Sequence, residues 1–188
     1  MKKILFVHAC ARPQSRTYRL AQHVLHQLEG EITQVDLYKE KKLLPLNEKR
    51  LERRNERTAV RDFQDEIFDY ARQFAQADEI VIAAPYWDLL FPAVLRTYLE
   101  LVTVTGVTFS YTEEGEPVGL CKARKLVYVT TAGGAIGKYN FGYTYIKALA
   151  DAFYGIPETL CVKAENLDIV GVDAEKILQR VMEETKIR

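Results

Sequence analysis

The sequence MKKILFVH at residues 1–8 and the sequence ACARPQSRT at residues 9–17 set the architecture of this chain. The apolar run at residues 4–7 predicts a buried strand. The loop after it carries Arg12, Ser15 and Thr17, and a helical pattern begins directly afterwards. The first turn of such a helix offers unpaired backbone N–H groups, to which hydroxyls and a guanidinium add hydrogen bonds for an anion. The loop has no glycine and matches neither GxGxxG nor GxxxxGK[ST], so it favours one terminal phosphate over a pyrophosphate.

Size and composition exclude several classes of protein. The 188 residues are expected to form one domain, residues 1–188, and 48% of them are hydrophobic. No apolar run approaches the length of a membrane span, and residues 4–7 are too short for the core of a signal peptide. Twenty-six basic residues balance 26 acidic ones, which argues against nucleic acid or a membrane surface as a partner. We therefore expect a cytoplasmic protein.

The cysteines and histidines predict no metal site. Cys10, Cys121 and Cys161 are widely spaced and form no CxxC motif, so neither disulfides nor structural zinc are expected. Cys10 lies in the phosphate loop, where it is either a redox-sensitive thiol or simply a small loop residue. His8 ends the first strand and is a candidate for contact with a ligand in the crevice described below.

Strands and helices alternate along the chain. Strands are predicted at residues 2–8, 31–38, 79–85, 124–131 and 158–167, and helices at residues 16–27, 58–76, 92–104, 141–154 and 172–186. Five such units with right-handed crossovers make a doubly wound α/β domain with a five-stranded parallel sheet. The expected strand order is the flavodoxin-like 2-1-3-4-5. Its ligand crevice lies at the carboxyl ends of strands 1 and 3, with strand 4 alongside.

Two insertions interrupt this alternation. Residues 39–61 hold nine Lys or Arg and four Glu, a net charge of +5. They form either a solvated loop or short helix, or a basic lip that attracts an anionic nucleotide. Residues 106–120 combine alternating apolar residues with a Glu114-Gly115 turn, and they predict a β-hairpin flap.

The loops after strands 3 and 4 have the residues expected of a ligand crevice. Residues 84–92 read APYWDLLFP and contain Trp87, the single tryptophan of the chain. Its ring is suited either to line a slot for a planar ligand or to pack on the following helix. Residues 130–139 read TTAGGAIGKY, and their glycines let backbone N–H groups approach a ligand closely.

Taken together, these loops resemble those of the flavodoxin-fold NAD(P)H quinone reductases, and especially the short FMN-dependent NADH azoreductases. The most specific match is APYW at residues 84–87 followed by FPAVLRTYLE at residues 91–100. GVTFSYTE at residues 106–113 matches the flap of the family, and TTAGG at residues 130–134 matches its flavin-edge loop. The resemblance covers about four-fifths of the chain.

The resemblance implies a cofactor and a role for each matched residue. FMN is the implied cofactor, and its phosphate is assigned to Ser15, Arg16 and Thr17, with Arg12 beside them. The isoalloxazine ring is assigned to Tyr86, Trp87, Asp88 and Leu89 on one side and to Thr131, Ala132, Gly133 and Gly134 at its pyrimidine end. Tyr139 falls near a tyrosine that reaches the quinone in related reductases, so it is the candidate catalytic residue.

The resemblance also implies an activity and an assembly. NADH or NADPH passes a hydride to the flavin and leaves, and a quinone or azo compound then takes its place in a ping-pong cycle. The family is typically a homodimer in which each subunit completes the site of the other, and the flap with Tyr111 is suited to that closure.

Three positions depart from the family pattern and keep other functions open. Ala9 replaces a frequent serine, Asp88 a frequent asparagine, and Ala132 an arginine found in some members. The alternatives are a flavodoxin-type FMN electron carrier, against which the zero net charge counts, and a non-catalytic interaction protein on a degenerate flavodoxin-like fold.

Overall fold

A five-stranded parallel sheet forms the centre of the computed structural model, which describes residues 1–187. Its strands are β1 (Lys3–His8), β2 (Glu31–Asp36), β3 (Glu79–Ala83), β6 (Lys125–Thr131) and β7 (Glu158–Ala164). They lie in the order β2-β1-β3-β6-β7, and every neighbouring pair is parallel. This confirms the expected 2-1-3-4-5 order and places the ends of β1, β3 and β6 at one edge.

Within residues 1–187, six α-helices accompany these strands. They are α1 (Arg16–Leu25), α2 (Glu48–Ala59), α3 (Asp69–Gln76), α4 (Ala93–Val102), α5 (Phe141–Leu149) and α6 (Ala174–Glu184). Strand side chains alternate between the two faces of a sheet. Accordingly, Ile4 and Phe6 pack with α1 and α6, whereas Leu5 and Val7 pack with α3, α4 and α5. Because both faces of the sheet are covered, the central strands read as continuous apolar runs.

The helix predicted over residues 58–76 is the element that differs most from expectation. The structure has α2 ending at Ala59, a turn through Arg61 in the left-handed region (φ 56°), a 3₁₀ turn at Glu66–Phe68 and then α3. Asp65 caps the 3₁₀ turn by accepting a hydrogen bond from the Ile67 N–H at 2.9 Å. The predicted helix is therefore wrong at its start, because the chain reverses where the pattern seemed continuous.

The basic insertion at residues 39–61 lies against an acidic segment at residues 62–69. Arg53 and Arg57 both contact Asp65, at 2.9 and 3.1 Å, and Lys42 contacts Glu66 at 3.1 Å. Helix α2 has no buried residue. The contacts favour a solvated short helix over a basic lip, because the nearby carboxylates neutralise much of its charge.

The predicted hairpin is formed by β4 (Phe109–Tyr111) and β5 (Pro117–Gly119). Its base is docked on the π-helical turn Ala150–Tyr154 that follows α5. The rings of Phe109 and Phe153 lie 4.8 Å apart, and a Cβ added at Gly119 would lie 2.2 Å from the Gly155 backbone nitrogen. The base of the hairpin is therefore fixed, and its tip projects from the domain.

Within residues 1–187, no helix combines the length and apolar character needed to span a bilayer.

Candidate functional site

A cavity of about 150 Å³ lies at the edge where β1, β3 and β6 end. It is formed by the loops after these strands together with the loop after β7. Its lining residues are Ala11, Arg12, Ser15, Arg16, Thr17, Pro85, Tyr86, Trp87, Thr131, Ala132, Gly133, Leu167 and Asp168. Most of the residues that the sequence assigned to a flavin site therefore share one cavity. Asp88, Leu89, Gly134 and Tyr139 lie outside its lining.

The start of α1 supplies the hydroxyl groups of the cavity. Ser15 is the N-cap, and its Oγ accepts a hydrogen bond from the Tyr18 N–H at 3.2 Å. The Thr17 and Thr131 Oγ atoms lie 2.7 Å apart, which ties α1 to the end of β6. Only one of these two threonines can donate to the other, so the second O–H remains available to a ligand. The first turn of the helix adds backbone N–H groups that no helical carbonyl can reach.

Arg16 closes the side of the cavity nearest β7. One guanidinium nitrogen, Nη1, lies 2.7 Å from Asp168 Oδ1 and 3.2 Å from the Leu167 carbonyl oxygen. The Asp168 N–H donates to the Gly133 carbonyl at 2.9 Å, so this ion pair is anchored to the glycine loop after β6. The guanidinium is thereby held over the cavity with one defined orientation.

A tight turn follows β3 and presents Trp87 to the cavity. The Trp87 N–H donates to the Leu90 carbonyl at 3.1 Å, and the Leu90 N–H donates back to Trp87 at 2.8 Å. The two residues between them, Asp88 (φ 49°) and Leu89 (φ 70°), are both in the left-handed region. Positive φ at both central residues is the pattern of a type I′ turn, in which Asn-Gly is the usual pair. The Trp87 ring is 45% exposed and does not pack wholly onto α4.

Tyr139 lies at the rim, beyond the cavity itself. The Tyr86 hydroxyl donates to the Tyr139 carbonyl at 3.1 Å, which joins the loop after β3 to the loop after β6. The Tyr139 ring is 44% exposed, beside Phe141 and beneath the Lys138 ammonium. Gly134 opens onto free space, because a Cβ added there would meet no atom within 4 Å. The glycine loop therefore leaves room above the cavity.

His8 and Cys10 do not line this cavity. They line a second cavity on the β2 side, where His8 Nε2 lies 3.0 Å from the Gln34 side-chain nitrogen. Burial raises the pKa of the Cys10 thiol to about 11. Since the thiolate is the reactive form, this favours a small loop residue over a redox-sensitive thiol.

The hairpin residues 107–120 also lie outside the cavity lining of their own chain. Tyr111 is 55% exposed, although its ring contacts that of Phe109.

Asp168 and Leu167 are the lining residues that sequence reasoning missed. They follow β7, the edge strand next to β6, whereas the ligand crevice expected of this fold involves only the loops after strands 1, 3 and 4. The sequence signal that could have identified Asp168 is its position as a carboxylate directly after the predicted fifth strand, residues 158–167.

Comparison with known proteins agrees with this fold. The family model described as "Flavodoxin-like fold" matches residues 2–186. The FMN-dependent NADH:quinone oxidoreductase 2 of Clostridium acetobutylicum is 37% identical over 99% of this chain and 97% of its own length. The FMN-dependent NADH:quinone oxidoreductase of Coprothermobacter proteolyticus is 36% identical over the same shares. The crystal structure of an azoreductase from Bacillus anthracis superposes with a TM-score of 0.83 at 27% identity, covering 98% of this chain and 96% of that one.

A match along nearly the whole length, with the parallel sheet order and the strand-end cavity in place, leaves one assignment. The chain belongs to the flavodoxin-like family that includes the FMN-dependent NADH:quinone oxidoreductases.

Proposed function

We propose that the protein is an FMN-dependent NADH oxidoreductase that reduces quinones or azo compounds. The observation that carries the proposal is the single cavity shared by the loops after β1, β3 and β6, with hydroxyls and a guanidinium at one end and Trp87 at the other. Relatives of matching length bear the names of such enzymes.

The phosphate end of FMN fits the residues present. Ser15, Thr17 and Thr131 offer hydroxyls, Arg16 offers a fixed cation, and the start of α1 offers backbone N–H groups and the positive end of its dipole. The loop holds no glycine nest for a second phosphate, so a mononucleotide suits it better than a dinucleotide. A volume of about 150 Å³ is below the usual range for a whole ligand of drug size, roughly 300–1,000 Å³. The ring of a bound FMN would therefore extend beyond this cavity.

The ring end of FMN fits the open surface between Trp87 and the glycine loop. Tyr86 and Trp87 supply aromatic surface, and Gly133 and Gly134 let the backbone approach a flat ring closely. We assign Asp88 and Leu89 to the edge of the ring, because their turn fixes the direction of the backbone next to Trp87. FMN, when bound, supplies the hydride-transfer chemistry, and the protein supplies position and electrostatics.

The residues of the chain would bind FMN, orient its ring and shield the ring from water. Arg16, which already pairs with Asp168, and the hydroxyls would hold the phosphate by hydrogen bonds. This anchor would fix the ring relative to the Trp87 turn. We assign nicotinamide and oxidant to the open space above Gly134, which they would occupy in turn. We assign Tyr139 to this slot as the residue that contacts the oxidant. This assignment is supported by the hydrogen bond from the Tyr86 hydroxyl to the Tyr139 carbonyl and by the 44% exposure of Tyr139.

We further propose that the working unit is a homodimer. Trp87 and Tyr139 leave aromatic surface exposed at the rim, and Tyr111 projects from a hairpin that does not cover its own cavity. A second copy would shield the ring from water by placing its Tyr111 over this slot. We also propose that the chain is one domain acting in the cytoplasm, that NADPH is a second donor, and that neither nucleic acid nor membrane is a partner.

Three measurements test the proposed function. The purified protein should be yellow and release FMN rather than FAD. Anaerobic NADH should bleach the bound flavin, and turnover with NADH and menadione should give parallel double-reciprocal lines. A protein that stays colourless after incubation with FMN would refute the proposal. If dithionite bleaches the bound FMN but neither NADH nor NADPH does, the protein would be a flavodoxin-type electron carrier and not an NADH oxidoreductase.

A matched pair of arginines on α1 tests the phosphate site. Arg16→Ala should weaken FMN binding by about tenfold or more, because hydrogen bonds to a charged group contribute roughly 1.5–3 kcal/mol. Arg19→Ala is the control, since Arg19 pairs with Glu175 at 2.8 Å and does not line the cavity. Equal FMN affinity in the two variants, measured by fluorescence titration, would place the phosphate elsewhere.

A further inference from the structure

A second cavity, of about 250 Å³, lies beside the proposed flavin cavity on the same strand-end edge. Ala11 and Arg12 line both cavities, so the two are separated only by the loop after β1. Arg12 is exposed between them. A ligand that starts in the flavin slot and passes over this loop would reach the second cavity next.

Asp36 is the carboxylate of this second cavity. It is the last residue of β2, and it accepts hydrogen bonds from the Tyr38 N–H at 3.2 Å and from Lys39 Nζ at 2.9 Å. Burial opposes its ionisation, but the hydrogen bond from Lys39 and the nearby positive charge hold its pKa below the usual value. Asp36 is therefore a charged acceptor with lone pairs still free for hydroxyl groups.

His8 also lines this cavity. Its side chain is 4% exposed, and burial lowers its pKa, so the ring is neutral. Its Nε2 lies 3.0 Å from the Gln34 side-chain nitrogen. The ring therefore adds no charge, and Asp36 is the one carboxylate among the described residues that line this cavity.

We propose that the second cavity binds the adenosine half of NADH, with Asp36 accepting hydrogen bonds from the ribose hydroxyls. This rests on the proposed function in one respect, namely that NADH is the hydride donor. Asp36 pairs with His8 at the end of the two neighbouring strands, so its carboxylate lies on the far side of the β1 loop from the flavin cavity. A dinucleotide that crosses this loop would therefore meet a charged acceptor for its ribose hydroxyls. The exposed Arg12 guanidinium lies where a pyrophosphate would cross between the cavities.

The aromatic rim of the cavity suits a purine. Tyr18 and Tyr38 both line it, and the Tyr38 ring is 47% exposed. The volume is enough for one part of a dinucleotide and not for the whole. Binding at a distance from the reacting ring lowers KM without requiring any new group at the flavin.

Direct titration tests the cavity without any turnover. ADP-ribose, which carries the adenosine half and lacks nicotinamide, should bind the full-length protein in a calorimetric titration run with excess FMN. Asp36→Ala should weaken that binding by about tenfold or more, since the hydroxyls lose a charged acceptor. Asp62→Ala is the control, because Asp62 pairs with Arg57 and lines neither cavity. No binding of ADP-ribose by the unchanged protein would overturn the proposal.

A truncated donor separates this proposal from the proposed function. Reduced nicotinamide mononucleotide lacks adenosine, so Asp36→Ala should leave its KM unchanged while raising the KM for NADH about tenfold. Asp36→Asn keeps the acceptor for Tyr38, and it should shift KM for NADH in the same direction if Asp36→Ala fails to fold. Equal effects on both donors, or none on either, would overturn the adenosine site. If neither donor reduces the flavin of the unchanged protein, the proposed function is wrong. The ADP-ribose titration would then still show whether the second cavity binds the adenosine half.

Discussion

The hydroxyl pair of Thr17 and Thr131 should couple the stability of α1 to that of β6. The two Oγ atoms lie 2.7 Å apart, and the residues are 1% and 9% exposed. Replacing one threonine by valine leaves the other hydroxyl without its partner, at a cost of about 1–3 kcal/mol. Thr131→Val leaves the Thr17 hydroxyl, the more deeply buried of the two, without its partner. We therefore expect a loss of stability of about 2 kcal/mol for Thr131→Val and about 1 kcal/mol for Thr17→Val.

The double variant should be less destabilised than the sum of the two single variants. Valine has nearly the shape of threonine, and replacing both partners leaves no unpaired hydroxyl. We expect Thr17→Val with Thr131→Val to cost about 1 kcal/mol in total, which corresponds to a coupling of about 2 kcal/mol. Residues in contact commonly show couplings of this size.

Urea denaturation of the FMN-free protein measures this cycle, with the midpoint and the slope fitted together. Strict additivity of the two single changes would refute the reasoning, because independent effects mean that the hydroxyls do not depend on each other. FMN binding gives a second readout. The double variant should bind FMN weakly despite its recovered stability, since both hydroxyls are lost from the cavity. Unchanged FMN affinity would show that the phosphate does not use them.

Three further outcomes are expected. Gly119→Ala should lower the melting temperature, because the added Cβ would lie 2.2 Å from the Gly155 backbone nitrogen. Overpacking of this kind costs about 1–3 kcal/mol. Gly134→Ala is the control and should leave the melting temperature unchanged, because a Cβ there would meet no atom within 4 Å. Burial lowers the pKa of His8. In the unfolded chain His8 binds a proton near pH 6.5, whereas in the folded chain it does so only at a lower pH. The free energy of unfolding should therefore fall as the pH drops below about 6.5. In His8→Gln this fall should be less steep, and denaturation experiments at a series of pH values would measure the difference. Cys10, with its pKa raised to about 11, should react with a thiol reagent at neutral pH more slowly than a free cysteine in an unfolded peptide.

The sheet was predictable from sequence, and the segment after β2 was not. Strands buried on both faces appear as continuous apolar runs, and residues 79–83 and 125–131 are of this kind. Helix α2 buries no residue, so it carries no apolar periodicity. The reversal at Arg61 uses positive φ at a residue that is neither glycine nor asparagine, and it gives no turn signal.

The candidate site was predictable where motifs follow strands and not where contacts span the chain. Arg16 begins the helix after one loop and Trp87 belongs to another, and the composition of both loops differs from that of an ordinary turn. Asp168 gains its place through an ion pair with Arg16, 152 residues away. Asp36 gains its place from the parallel pairing of β1 with β2, which sets it next to His8. The predicted strand order alone identifies neither contact, because the first depends on the path of the loop after β7 and the second on the register between β1 and β2.

The turn after Trp87 shows why this site is rigid. Asp88 and Leu89 both have positive φ, a conformation that costs an L-residue about 1–2 kcal/mol. Leu89 is 45% exposed, so burial of its side chain offsets only part of that cost. The strain persists because two hydrogen bonds join Trp87 to Leu90 and because Phe91, 4% exposed, anchors the chain directly afterwards. Strain of this kind is concentrated where a backbone must keep one orientation for its function. A glycine at position 89 would relieve the strain and would also give the backbone next to Trp87 more conformational freedom.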